Sequence, residues 1–238
     1  MSENTIPRRD FFKGAGAVAA VAATSAAVAG AARSREGESP ATASLVPFYG
    51  EHQSGIATPP PDHVAVAAFD LTTDSEHDIA AMLNAWSSAA ALLTRGKSLG
   101  TRENTYQPPV DSGEALDLPA AQLTVTIGYT PSFFDQMGSV TRPRFIDPLP
   151  SFPGEALQPD ISGGDIVVQI CSDDPQVNFH AAHSLARLGE GVVTMKYLHI
   201  GFGRTSSTSS EQATSRNLLG FKDGTNNLRH NAAEQFRR

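Results

Sequence analysis

The stretch DIVVQICSDDPQVNFHAAHSLARLGEGVVTMKYLHIGF, residues 165–202, spells out one complete strand–helix–strand unit. Its opening, DIVVQIC, is a largely apolar run of β-prone residues and reads as a strand. Asp174 then offers a helix N-cap. Pro175 takes the first helical position, where a missing N–H costs nothing. Val177, Ala181, Leu185 and Leu188 recur every three or four residues, so they form a single apolar stripe, and Gly189 stands where the helix should stop. Residues 192–202 return as a further strand.

The chain upstream supplies the other half of the pattern. LTVTIG, residues 123–128, alternates cleanly: Leu123, Val125 and Ile127 face a core, Thr124 and Thr126 face outward, as in a half-buried antiparallel strand. Residues 131–137 suit a short helix, and the proline-rich stretch 142–164 has no periodicity and reads as a long loop. HVAVAAFD, residues 63–70, is a strand candidate with Val64, Val66 and Ala68 on one face. Thr73 and Glu76 have the spacing of a capping box, T-x-x-E. Ile79, Met82, Leu83, Trp86, Ala90 and Leu93 follow at helical spacing, with Gly96 at the expected end. Strand, helix, strand, strand, helix, strand is the order of an α+β, ferredoxin-like domain. This split βαβ arrangement is a four-stranded antiparallel sheet with its helices on one face, here over residues 63–204.

Bulk composition narrows the class. With 238 residues, 40% hydrophobic and 18% charged, the chain can bury a sizeable core and is not of disordered type. A formal charge of −7 argues against nucleic acid as a partner. Cys171 is the single cysteine, so an internal disulfide and any multi-thiolate metal site are excluded. Residues 1–31 read as an address rather than as fold. Arg8 and Arg9 precede Asp10, Phe11, Phe12 and Lys13, similar to a twin-arginine signal, although Pro7 stands where Ser or Thr is usual. The uncharged run from Gly14 to Ala32 is nearly long enough for a membrane anchor. It is mostly Ala, Gly and Val, with no Leu or Ile, and so partitions weakly into hydrocarbon. Two A-x-A cleavage options, 27–29 and 29–31, complete a signal for export to the periplasm or beyond. Residues 32–62 are then a polar linker and lead-in.

One segment near the end stands out: NLLGFKDGTNN, residues 217–227. In isolation Lys222-Asp223-Gly224 is a turn signal after an apolar pair, Leu218 and Leu219. The string GFKDGTNN resembles the G-x-x-D-G motif of dye-decolourising (DyP-type) haem peroxidases. VPFYGEHQSGI (residues 46–56) and SFPGEALQPDISGGDIVVQIC (residues 151–171) are also similar to that family, in the same order, and the likeness covers about residues 45–230. Its pattern points to the exported, deferrochelatase-like branch.

The resemblance implies haem b as cofactor, hydrogen peroxide and a small organic reductant such as a dye or phenol as substrates, and the twin-arginine machinery as an export partner. It leaves room for a homo-oligomer. Asp223 matches the distal catalytic aspartate, and Gly224, Thr225 and Asn226 match backbone running along the haem. Phe221 could pack on the ring or serve a core. The family's axial histidine and distal arginine lie further downstream than Arg238, and His230 stands too close to the motif to be that ligand. Residues 205–238 are therefore expected to be a loop and the start of a truncated second ferredoxin-like domain. Two functions compete: a haem peroxidase, with iron release from haem as a variant, and a non-catalytic haem-binding fragment. His180 and His183, three apart on one helix face, would need further ligands to make a metal site, and none is evident in the sequence. His52, His63, His77 and His199 are scattered, and Cys171 reads as a buried, inert thiol.

Overall fold

The structure is a computed structural model that describes residues 45–100, 106, 109–202, 216, 217 and 219–222. The signal region, the polar tract 205–210, Asp223, Gly224, Thr225, Asn226 and His230 lie outside the described residues. In chain order come β1 (His63–Leu71), α1 (Glu76–Leu93), β2 (Thr124–Tyr129), α2 (Pro131–Met137), β3 (Ile166–Ser172), α3 (Pro175–Leu188) and β4 (Val193–Phe202). One 3-10 turn, Pro159–Ile161, interrupts the long loop before β3.

The sheet order is β2-β3-β1-β4, and every neighbouring pair is antiparallel. The crossover β1–α1–β2 leaves a gap that β3 fills, and the crossover β3–α3–β4 leaves one that β1 fills. Two βαβ units thus interleave, which is the ferredoxin-like fold expected from the element order.

Alternation along the strands decides which face meets the helices. Ala65, Ala67, Phe69 and Leu71 of β1, with Ile166, Val168 and Ile170 of β3, point into the core. Ile79, Met82, Trp86 and Leu93 of α1 and Val177, Ala181 and Leu185 of α3 close over them. Trp86 is completely buried. Its indole Nε1 donates to the Leu185 carbonyl at 2.8 Å, and its ring lies 5.1 Å from that of Phe69. One side chain therefore ties both helices to the central strand, and a buried tryptophan of this kind is worth about 3–5 kcal/mol against alanine. Val64 and Val66 sit on the opposite, helix-free face and are half-buried. Ala68 shares that face but is fully buried, because Gly164 passes against it.

Two local expectations need correction. The N-cap of α1 is Ser75, not Thr73: Ser75 Oγ accepts from the Asp78 amide at 3.3 Å, while Thr73 Oγ1 accepts from the Ser75 amide. Two cap-competent hydroxyls stand two residues apart, and the helix starts at the second. That choice keeps both Glu76 and Asp78 in the first turn, where the helix dipole favours them. Thr124 faces away from the helices as its alternation requires, yet it is only 1% exposed. Residues 53–55 lie over it.

This cover is built by three residues. The Gln53 side-chain amide donates to the Ile127 carbonyl at 3.1 Å and accepts from the Ile127 amide at 3.0 Å. It thereby occupies one N–H and one C=O on β2, an edge strand of the sheet. Thr126 Oγ1 donates to the Ser54 carbonyl at 2.6 Å. Gly55 has φ +98°, and a Cβ there would collide with Thr126 Oγ1, so glycine is required on both counts.

Candidate functional site

Of the five site residues read from the sequence, Phe221 alone is described. It belongs to a tight turn joined by an antiparallel bridge between Arg216 and Lys222. The Asn217 amide donates to the Phe221 carbonyl and the Gly220 amide donates to the Asn217 carbonyl, both at 2.9 Å. Asn217 Oδ1 accepts from the amides of Leu219 and Phe221, at 3.1 and 3.0 Å. Arg216 Nη1 donates to the Gly220 carbonyl at 2.7 Å, and Gly220 sits at φ +85°, a left-handed position that suits glycine. The turn therefore reverses at 217–221, ahead of the Lys222-Asp223-Gly224 signal, and Lys222 closes its bridge. Leu219 and Phe221 are exposed on it, at 82% and 69%. An exposed Phe221 has no core role among the described residues.

The helix-free face of the sheet carries a cleft of about 290 Å³. Pro59, Pro60, Thr124, Gln169, Cys171 and Phe202 contribute to its wall. Cys171 is half-buried there rather than fully enclosed. Burial pushes its thiol pKa up, and the neighbouring Thr124 hydroxyl only partly opposes this. An elevated thiol pKa keeps the nucleophilic thiolate scarce, in keeping with an inert cysteine.

The helix face holds a second polar assembly that sequence reasoning missed. Glu114, in the connection between α1 and β2, is gripped by both histidines of α3. Oε2 lies 2.8 Å from His180 Nδ1, and Oε1 lies 2.6 Å from His183 Nδ1. His180 Nε2 faces Asp111 Oδ1 at 3.5 Å, with both side chains buried. Asp111 also accepts from the amides of Leu99 and Gly113, each at 2.8 Å. Burial raises the Glu114 pKa, but hydrogen bonds from Ser112, His180 and His183 outweigh it and hold the carboxyl at about 2. Burial acts on Asp111 in the same sense. The Leu99 and Gly113 amides, the His180 charge and Ser98 overcome it, and its pKa is lowered. No group of three or more His, Cys, Asp or Glu suited to a metal ion occurs among the described residues. The i, i+3 histidine pair was legible in the sequence. Its carboxylate partner, 66 residues away, carried no signal of its own.

Comparison with known proteins follows from this fold and motif. The Dyp-type peroxidase N-terminal family profile matches residues 53–203, and a twin-arginine translocation pathway signal matches residues 5–25. The chain belongs to the Dyp-type peroxidase family and carries an address for twin-arginine export, to the periplasm or beyond. A deferrochelatase of Escherichia coli O157:H7 is 32% identical over 234 residues, 94% of this chain and 54% of that protein. Among solved structures, a DyP-type peroxidase from Streptomyces coelicolor superposes with TM-score 0.72 at 35% identity, covering 84% of this chain and 53% of the other. Ferric DtpA from Streptomyces lividans gives the same values. The chain thus spans about half the length of the relatives it matches.

Proposed function

We propose that this chain supplies the first half of a haem-dependent peroxidase that uses hydrogen peroxide to oxidise small organic donors. The observation that supports it is the motif turn. A segment matching the family's G-x-x-D-G pattern begins on a hairpin stapled by Asn217, and that hairpin holds two large apolar side chains, Leu219 and Phe221, clear of any core. Such a surface fits contact with a flat apolar macrocycle. An iron ligand is a different matter. His180 and His183 are committed to Glu114, and His199 stacks on Tyr197 at 4.8 Å. In this reading the axial histidine and distal arginine come from the remainder of the second ferredoxin-like domain that residues 205–238 begin, or from a partner chain.

Haem, when bound, provides the redox chemistry. Asp223 provides the proton movement. With haem supplying the two electrons for O–O cleavage, the Asp223 carboxylate would take a proton from the near oxygen of hydrogen peroxide and deliver it to the far oxygen, which would leave as water. Acid–base help of this type contributes about a hundred- to ten-thousandfold in rate. Gly224 permits close backbone approach, because it has no Cβ to strike the ring. Thr225 and Asn226 would continue that strip, and Phe221 would be free to pack on the ring.

A second reading is a non-catalytic one: these 238 residues by themselves bind haem without turnover. The test uses the chain itself, with haemin, hydrogen peroxide and a dye. Little or no dye oxidation is expected until the C-terminal half of a Streptomyces relative is fused or co-expressed. In that assembly Asp223→Asn should lower turnover at least about a hundredfold. Strong turnover by the chain alone, abolished in Asp223→Asn, would overturn the need for a second half. Full activity of the assembled Asp223→Asn protein would overturn the role of Asp223. Iron release, the activity in the name of the Escherichia coli relative, is separated from peroxidation by looking for intact metal-free porphyrin as product.

A further inference from the structure

The long connection between α1 and β2 is held to α3 along one line of side chains. Gln176, His180, His183 and Arg187 fall at steps of four, three and four residues, so they share one helix face. Gln176 Nε2 donates to the Glu114 carbonyl at 2.5 Å, the two imidazoles take the Glu114 carboxylate, and Arg187 Nη2 donates to the Pro109 carbonyl at 2.7 Å. Two of these four attachments are made by imidazoles, whose hydrogen-bonding capacity depends on protonation.

We propose that Glu114, His180 and His183 form a proton-operated latch, which fastens the 109–118 segment to α3 when the imidazoles are protonated and slackens when they are neutral. The geometry at His180 carries this. One ring nitrogen faces Glu114 and the other faces Asp111, and both partners are carboxylates. A neutral imidazole has one N–H, so its remaining lone pair must then point at a carboxylate. The imidazolium satisfies both. Charge counting agrees: two imidazolium ions balance Glu114 and Asp111, whereas two neutral rings leave a pair of anions at a largely buried site. Among the described residues, the remaining ionisable neighbours are few. Lys97 and Asp117 line the small cavity of about 60 Å³ that His180 shares with Asp111, and Arg187 lies one turn along α3 from His183. The other cavity walls near His180 are mainly apolar, among them Leu93, Leu123 and Val177.

The segment reports on the latch through its own amides. Leu99 and Gly113 donate to Asp111, Leu116 donates to the Gly113 carbonyl, and Leu118 donates to the Ala115 carbonyl. Amide hydrogen exchange on the full chain, corrected for the intrinsic rate at each pH, should show their protection falling about tenfold from about pH 5.5 to 8. That is the scale of replacing a charge-assisted hydrogen bond with a neutral one. Amides of β3 in the same spectra should hold constant. His180→Gln with His183→Gln should flatten the dependence. His183→Gln alone, at a 43% exposed side chain that tolerates replacement, should shrink it. The latch is overturned if wild-type protection of 113–118 does not change with pH. It is equally overturned if the pH dependence persists unchanged in His183→Gln.

Discussion

At the scale of single residues, position 55 is the most tightly constrained of the described glycines. Its positive φ and the Thr126 hydroxyl beneath it leave no room for a side chain. Gly55→Ala should therefore destabilise the domain by about 1–3 kcal/mol, read as a lowered urea midpoint with unchanged slope. Glu114 makes a second prediction, in acid. Its pKa falls from an ordinary 4.5 to about 2 on folding. A depressed carboxyl stabilises the fold fully above its unfolded value and ceases to do so as pH falls through the folded one. As far as the carboxyl's own titration goes, the contribution is thus complete at about pH 4.5 and gone near pH 2. Glu114→Gln should be less stable than wild type at pH 6, and the gap should close on acidification, as followed by urea unfolding at stepped pH. Neither residue announced itself in the sequence. A glycine in a lead-in segment and a glutamate in a loop acquire their roles from strands and helices far along the chain.

Elements were more legible, for reasons of period and capping. α3 could be read from Asp174 to Gly189, because cap, proline, stripe and glycine agree, and the Asp174 side chain does accept from the Gln176 amide at 2.8 Å. α1 was legible in its buried stripe and ambiguous at its start, since Thr73 and Ser75 both have capping chemistry. Ser75→Ala should cost about 0.5–2 kcal/mol and Thr73→Ala less, a contrast that paired thermal melts can measure. β2 was placed to within one residue. The burial of Thr124 could not be foreseen, because strand alternation reports which face a residue takes and not what covers that face. The cover is Gln53 and its neighbours, which reach β2 from 74 residues upstream. Within one of the motifs that carried the family resemblance, VPFYGEHQSGI, Gln53 and Gly55 thus have a structural task. One supplies the hydrogen-bond partners that an edge strand lacks, and the other admits the chain over Thr126.

For the molecule as a whole, topology followed from element order, because few arrangements bury two helices against four antiparallel strands without crossing connections. The candidate site was legible by resemblance and not by local physics. Asp223 in a K-D-G string is an ordinary turn aspartate until several spaced motifs agree. What the described residues add is the hairpin that leads into it, turned earlier than the string suggests and displaying Leu219 and Phe221. A chain addressed to twin-arginine export also meets an oxidising compartment. With a solitary sulfhydryl, half-enclosed and reluctant to ionise, it has little means of forming covalent pairs there. Its preparation should need no reductant: non-reducing gels of aged, air-exposed protein should show one band, and recovery from denaturant should proceed equally well with or without added thiol.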